Sequence, residues 1–269
     1  MESIKELRAI CQTKKQPMYM QLVSTRISIY ITKLYLYTGL SADYVTIFMM
    51  LLVIAGSIIM ATGSLWNILI GILLIHFTII LDNVNGEVAR YNREDGLIGT
   101  FLEQVYHNLA VPSLFFSISF GVFTATGTKS VLIFGFLASI FGMPIILKSI
   151  KDAVIDERLS EIKKGRKRQK ISLKSTNIQG GGSLFGGMLY SLYEKFRAIW
   201  VYPANIVHIT VLAIIEILNI KRGYFTPYSS FVYYIWIYGS VSAIVQSAAF
   251  IVNYRGKTID HYYKELFGK

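Results

Sequence analysis

The chain is poor in cysteine and in charged residues, and both shortages narrow the classes of protein to which it can belong. Its 269 residues include one cysteine, Cys11. A single cysteine excludes an intramolecular disulfide framework and a cysteine-rich metal site. Charged residues make up 16% of the chain and apolar residues 53%, whereas about a quarter of an average soluble domain is charged. A soluble domain, a disordered chain and a coiled coil are therefore poor descriptions.

The apolar residues are collected in six runs that are long enough to cross a membrane. A spanning helix needs about 20 mostly apolar residues. The predicted spans cover residues 44–62, 65–81, 97–124, 130–147, 199–219 and 229–252. The sequence therefore predicts an all-α membrane protein with six transmembrane helices in one domain, residues 44–252.

The basic residues are distributed unevenly between the loops, which predicts the orientation. The chain has 27 Lys and Arg against 16 Asp and Glu, a net charge of +11. If the N-terminus is cytoplasmic, 24 of the 27 basic residues lie on that side, and only Lys129, Lys221 and Arg222 lie on the other. Cytoplasmic loops are normally enriched in Lys and Arg. We therefore expect a multi-pass membrane protein with both termini in the cytoplasm.

Three segments lie outside the predicted spans. Within the cytoplasmic N-terminal region, residues 1–43, the stretch 17–37 is expected to form an amphipathic helix at the membrane interface. The loop 151–197 contains the basic run KKGRKRQK, and residues 253–269 form a cytoplasmic tail. In a protein with six spans such a run favours anionic lipid headgroups over nucleic acid. Membrane lipid is therefore an expected partner, and nucleic acid is not.

Polar side chains interrupt the apolar pattern between residues 82 and 107. Asp82 ends the second span, and Glu103 and His107 lie in the first turns of the third. Ionisable groups at such depth are costly and usually face the bundle interior or a water-filled cavity. Asp82 and Asn85 share one helix face, as do Glu103 and His107. Two antiparallel helices would direct these oxygen and imidazole groups into one cavity, which suits a divalent cation.

The stretch 82–107 resembles the signature of the CDP-alcohol phosphatidyltransferase family, D-x2-D-G-x2-A-R-x8-G-x3-D-x3-D. The spacing is kept throughout, and five of the eight signature positions are identical. The segment TGLSADYVT at 38–46, the six spans and the interfacial helix also fit the family's architecture. The eight positions are Asp82, Asn85, Gly86, Ala89, Arg90, Gly99, Glu103 and His107.

The resemblance implies a metal-dependent transferase whose active site faces the cytoplasm. An acceptor hydroxyl attacks the phosphorus attached to the alcohol of a CDP-linked donor, and CMP leaves, as in phospholipid or related phospho-polyol biosynthesis. The implied cofactor is Mg²⁺ or Mn²⁺, and the implied assembly is a homodimer. The implied metal ligands are Asp82, Asn85, Glu103 and His107, with His107 also the proton acceptor. The implied nucleotide-binding residues are Gly86, Ala89, Arg90 and Gly99.

Three of the four signature aspartates are replaced, by Asn85, Glu103 and His107. Two carboxylates remain where the signature has four, and their combined negative charge balances one divalent ion instead of two. Each replacement can still coordinate a metal, and an imidazole accepts a proton near neutral pH. Glu87, within the signature, is a candidate for restoring one negative charge. This pattern favours a working variant over a non-catalytic nucleotide- or lipid-binding protein. A small transporter fits less well, because its site would lie at the membrane midplane.

Basic residues at the inner face are candidates for binding the acceptor, and small residues are candidates for helix packing. Each basic residue could instead be an interfacial anchor with its charge in the headgroup region. His76 and His208 are expected to form hydrogen bonds between helices, and Gly135, Ser139 and Gly142 would permit the close packing of a dimer. The acceptor candidates are Lys148, Arg26 and Lys33.

Overall fold

A computed structural model describes residues 2–12, 24–94, 97–143, 155 and 200–267 of the chain. Helices account for 85% of this part of the protein, and it contains no strand. In chain order the helices are α1 (Ile4–Cys11), α2 (Thr25–Leu36), α3 (Ala42–Ala61), α4 (Leu65–Asn92), α5 (Leu97–Thr126), α6 (Ser130–Phe141), α7 (Ala204–Arg222), α8 (Ser229–Arg255) and α9 (Thr258–Phe267).

Five of these helices, α3, α4, α5, α7 and α8, are long and apolar enough to cross a membrane. They agree with an integral membrane protein. The predicted fourth span is described as the shorter apolar helix α6, and residues 144–147 of that prediction lie outside the described residues. The predicted interfacial helix 17–37 is described only from residue 24 onward, as α2. The basic loop 151–197, apart from residue 155, also lies outside the described residues.

Helix α4 continues well beyond the end predicted for the second span at residue 81. It runs to Asn92 and ends at Arg93, which has the left-handed conformation (φ 57°, ψ 42°). The added residues, DNVNGEVARYN, include no proline and a single glycine, and one glycine is tolerated inside a helix. The first half of the signature therefore lies on helix, so its spacing translates directly into helix faces.

The helices are packed around α3, α4 and α5. Helix α3 packs against both α4 and α5, α5 against α6, and α6 against α8. Helices α1, α2 and α7 pack on α4. Helices α4 and α5 are not among the closely packed pairs of the described residues. Apolar side chains from both, including Ile75 and Leu114, nevertheless belong to one buried core. The expected hairpin is therefore joined by long side chains rather than by close backbone contact.

Glycines permit the closest helix crossings. A Cβ on Gly71 would collide with the carbonyl oxygen of Gly56 and the side chain of Met60, where α4 crosses α3. A Cβ on Gly239 would collide with the backbone of Phe134, where α8 crosses α6. Small residues are common where membrane helices approach closely. These crossings therefore depend on the absence of a side chain.

The small residues of the fourth span pack within the chain. A Cβ on Gly135 would meet the side chain of Ser119, and Ser139 Oγ lies 3.3 Å from the carbonyl oxygen of Pro112. Both partners belong to α5. Gly142 also packs towards α5, near Val111. The stripe is thus occupied by α5, and the homodimer stays a prediction that needs another surface.

Both histidines expected to link helices do so. His76 Nε2 on α4 lies 2.7 Å from Thr210 Oγ1 on α7. His208 Nδ1 on α7 lies 3.4 Å from Tyr234 Oη on α8. Hydrogen bonds between helices are a common use of polar side chains inside membranes. These two histidines are therefore explained by packing.

Candidate functional site

Glu103 and His107, two of the four predicted metal ligands, lie beside each other on α5, and the other two, Asp82 and Asn85, lie in the second half of α4. His107 Nε2 lies 3.9 Å from Glu103 Oε1, and the two side chains are 32% and 53% exposed. Asp82 is half-buried on α4 and interacts electrostatically with both. The fourth, Asn85, lies one turn further along α4. The helical spacing of the signature thus puts two of these groups on each of two helices.

These side chains do not form a compact coordination shell. Within the described ranges, no group of three or more His, Cys, Asp or Glu side chains is close enough to hold a metal ion. The separation follows from the packing, because α3 lies against both α4 and α5 and these two do not pack closely. Carboxylate, amide and imidazole donors nevertheless have the chemistry of a site for a divalent cation. The ligand set fits by its chemistry, and the metal site stays a prediction.

Arg90, predicted to bind phosphate, is engaged with the N-terminal helix. Its Nε donates a hydrogen bond to the carbonyl oxygen of Cys11, the last residue of α1. The guanidinium also lies at the C-terminal end of α1, where the negative end of the helix dipole favours a cation. A Cβ on Gly86 would lie 3.1 Å from Arg90 Nη1. The glycine therefore makes room for the guanidinium, whereas Ala89 packs against the core that α3, α4 and α5 share.

The last signature glycine lies beside a carboxylate that the sequence did not single out. A Cβ on Gly99 would lie 3.5 Å from Asp43 Oδ1, in the first turn of α3. Nearby, Glu94 Oε2 accepts a hydrogen bond of 2.9 Å from the backbone N–H of Ala42. Acidic groups at a helix N-terminus favour its dipole. Asp43 and Glu94 therefore both stabilise the start of α3, and Asp43 also lies beside Gly99 of the predicted nucleotide site.

Glu87 is directed away from the predicted metal ligands. Its side chain is 1% exposed and accepts three hydrogen bonds from the N-terminal segment. Gln12 Nε2 donates at 2.7 Å, Ser28 Oγ at 2.6 Å and Thr32 Oγ1 at 2.5 Å. The interpretation of Glu87 as an extra charge for the metal site is therefore wrong. The carboxylate holds the end of α1 and one face of α2 against α4.

Three hydroxyl groups near the predicted ligands were not singled out in the sequence analysis, although they are hydrogen-bonded to one another. Tyr106 Oη lies 2.9 Å from Thr78 Oγ1 and 2.9 Å from Tyr202 Oη. Thr78 lies one turn before Asp82, and Tyr106 directly precedes His107. Those two positions follow from helical spacing. Tyr202 comes from a distant part of the chain, so no pattern in the sequence indicates its contact with Tyr106.

The acceptor candidates are only partly described. Arg26 is exposed and Lys33 is partly exposed, both on α2. Helix α2 packs against α4, with Ser28 and Thr32 buried between them. Lys148 lies outside the described residues. Their role in binding an acceptor stays a prediction.

Comparison with known proteins yields no relative: no family model matches the chain, and no curated protein matches it. What bears on function is therefore the signature spacing and the side chains around Asp82.

Proposed function

We propose that the protein is a membrane transferase that moves a substituted phosphate from a CDP-alcohol to a hydroxyl acceptor and releases CMP. The observation that carries this proposal is the signature spacing, which puts Asp82 and Asn85 on α4 and brings Glu103 and His107, 3.9 Å apart, together on α5. The apolar helices agree with a donor or acceptor embedded in a bilayer. We further propose six spans and a site that faces the cytoplasm, supported by the distribution of Lys and Arg.

The proposed reaction is a displacement at phosphorus. The acceptor oxygen forms a new bond to the phosphorus that carries the alcohol, and the bond from that phosphorus to the bridging oxygen breaks. CMP leaves with the bridging oxygen, and His107 receives the proton of the acceptor hydroxyl. A divalent cation, when bound, neutralises charge on the diphosphate. Asp82, Asn85 and Glu103 are the residues that would hold it, and His107 would be a further ligand only while its imidazole is not the proton acceptor.

Arg90 and Gly86 would have to serve both the fold and the donor. The guanidinium of Arg90 has five N–H groups, of which Nε is used by the carbonyl oxygen of Cys11. The terminal nitrogens lie over Gly86. In this proposal those nitrogens bind the donor diphosphate while Nε keeps α1 in place. Arginine suits that double task because its donors form a rigid planar fork.

A non-catalytic nucleotide- or lipid-binding protein is the second candidate. The observation that favours it is the engagement of Arg90 by α1, combined with the loss of three signature aspartates. Such a protein would bind a cytidine nucleotide without releasing CMP from a CDP-alcohol.

Nucleotide binding tests the proposal before the acceptor is known. The purified protein in detergent is heated with CDP, CMP, UDP or GDP, each with and without Mg²⁺ or Mn²⁺. A ligand at 100 times its Kd stabilises the folded state by about 2.7 kcal/mol. We expect stabilisation by cytidine nucleotides that depends on the metal and is lost in Asp82→Asn. Stabilisation by none of the nucleotides, in folded protein, would contradict the transferase and would leave, of the second candidate, only a lipid-binding protein.

A further inference from the structure

His107 contacts two aromatic rings, one of its neighbour in sequence, Tyr106, and one from a distant part of the chain, Tyr202. The ring of Tyr202, which precedes α7, meets the imidazole edge-on, with ring centroids 6.2 Å apart and an interplanar angle of 72°. The ring of Tyr106 lies 5.0 Å away at 57°. Edge-to-face contacts of this kind are favourable and directional. The position of the imidazole is therefore coupled to the position of the Tyr202 ring.

The Tyr202 ring is fixed in turn by a directed chain of hydroxyl groups. Thr78 Oγ1 donates to the carbonyl oxygen of Ile75 at 2.8 Å, so it accepts the hydrogen bond from Tyr106. Each hydroxyl has a single proton. Tyr106 has then used its proton and accepts from Tyr202 Oη, 2.9 Å away. The chain runs from Tyr202 through Tyr106 and Thr78 into the backbone of α4, one turn before Asp82.

This chain connects the two sides of the site. Thr78 lies one turn before Asp82 on α4 and Tyr106 directly precedes His107 on α5, so the hydrogen bond between their hydroxyl groups joins the two helices beside these residues. Helices α4 and α5 do not pack closely here, so backbone contact alone does not fix the distance between the two side chains. The buried hydroxyl chain and the ring contact supply that connection.

We propose that Tyr202 is a positioning residue that holds the imidazole of His107 facing Asp82. The inference rests on the proposed function for its catalytic consequence, but the position of the imidazole is a structural claim in its own right. Without the Tyr202 ring, His107 loses this contact with the segment before α7 and keeps its contact with Glu103 on the same helix. Tyr202 itself forms no bond in the reaction.

A second Tyr–His pair provides a matched control. Tyr234 and His208 have ring centroids 6.0 Å apart at 76°, nearly the same geometry as Tyr202 and His107. That pair joins α7 to α8 and does not include a signature residue. Tyr234→Leu therefore removes a similar ring contact elsewhere in the bundle, together with the hydrogen bond between Tyr234 and His208, and it measures the general effect of losing a tyrosine from the core.

The test follows His107 directly, by NMR of protein labelled at histidine, with the resonance assigned from His107→Gln. In Tyr202→Leu we expect the His107 ring resonance to move towards the value of a mobile histidine. In Tyr202→Phe, which keeps the ring and loses the hydroxyl, we expect a smaller shift in the same direction. Tyr234→Leu should leave the resonance in place. An unchanged His107 resonance in Tyr202→Leu would overturn the proposal. If that variant does not fold, an unchanged resonance in Tyr202→Phe would overturn it.

Measurements of CMP release distinguish a failure of this proposal from a failure of the proposed function. A misplacement of about 1 Å can cost about 100-fold in rate. We therefore expect Tyr202→Leu to lower kcat for CMP release by about 10- to 100-fold, with the KM for the donor little changed and most of the rate kept in Tyr202→Phe. Equal losses in Tyr202→Leu and Tyr234→Leu would overturn the positioning role. No CMP release by the wild-type protein would overturn the proposed function, while the NMR comparison would still decide where His107 is held.

Discussion

Glu87→Ala is expected to release α1 and α2 from α4. The carboxylate accepts hydrogen bonds from Gln12, Ser28 and Thr32. Gln12 and Ser28 each have a second acceptor, the carbonyl oxygen of Thr25, at 2.8 Å and 3.4 Å. Thr32 Oγ1 would be left without its acceptor, in a residue that is fully buried.

The cost of the substitution can be worked out from these contacts. A buried donor left unsatisfied costs about 1–3 kcal/mol, and a hydrogen bond to a charged group contributes about 1.5–3 kcal/mol. One donor, Thr32, is left without an acceptor, and Gln12 and Ser28 exchange a charged acceptor for a neutral one. We therefore expect a loss of about 3 kcal/mol in the free energy of docking α1 and α2. Each 1.4 kcal/mol is a factor of ten. The undocked population should therefore rise by about 100-fold.

The single cysteine makes this population measurable without introducing a label site. Cys11 is fully buried at the end of α1, packed with Leu7 and Ile29. Burial also raises the pKa of the Cys11 thiol, so little reactive thiolate is present while α1 is docked. When opening and closing are fast, the rate of maleimide labelling follows the open population. The Glu87→Ala protein should label about 100 times faster than wild type.

A matched acidic residue controls for general effects of removing charge. Glu94 lies seven residues further along the chain and accepts a hydrogen bond from the N-terminus of α3 rather than from α1 or α2. Glu94→Ala should leave the labelling of Cys11 close to the wild-type rate. Labelling of Glu87→Ala that is as slow as wild type would refute the argument that this carboxylate holds the N-terminal helices.

Three further predictions follow from other contacts. Gly71→Val should prevent α4 from crossing α3 and sharply reduce the yield of folded protein. Ala55→Val, at an exposed position on α3, should leave that yield unchanged, and size-exclusion chromatography in detergent measures the yield of both variants. Glu216→Ala should lower the thermal midpoint, because Glu216 accepts hydrogen bonds from the backbone N–H groups of Tyr228 and Ser230 at the start of α8; an unchanged midpoint would contradict this. In excess EDTA, binding of CDP should be lost, and Mn²⁺ should restore it; metal-independent binding would exclude the proposed cation.

Most of the helical framework could be predicted because apolar runs set its elements. The starts of the second, third, fourth and sixth predicted spans, at residues 65, 97, 130 and 229, coincide with those of α4, α5, α6 and α8. The end of α4 was missed, since the polar stretch after residue 81 has no helix breaker before Arg93. Hydropathy marks where a helix is apolar enough for a membrane, and a helix can continue beyond that point.

The site was predictable only as far as helical periodicity extends. Spacing alone places Glu103 beside His107, one turn apart on α5, whereas the distance of this pair from Asp82 depends on how α4 and α5 pack. The directions of Glu87 and Arg90 were not predictable, since both are determined by the docking of α1 and α2 rather than by α4 itself. The contact of Tyr202 with His107 depends on the path of the chain between distant helices, which no local pattern encodes.

The most direct test of the proposed function is CMP release from a CDP-alcohol by the purified protein with Mg²⁺ or Mn²⁺. CDP-diacylglycerol is the first donor, and glycerol phosphate, inositol phosphate and serine are screened as acceptors. We predict CMP release that requires the metal and an acceptor and that is abolished in Asp82→Asn and in His107→Ala, with both variants still folded. Full CMP release by either variant would contradict the assignment of these residues as the reaction centre.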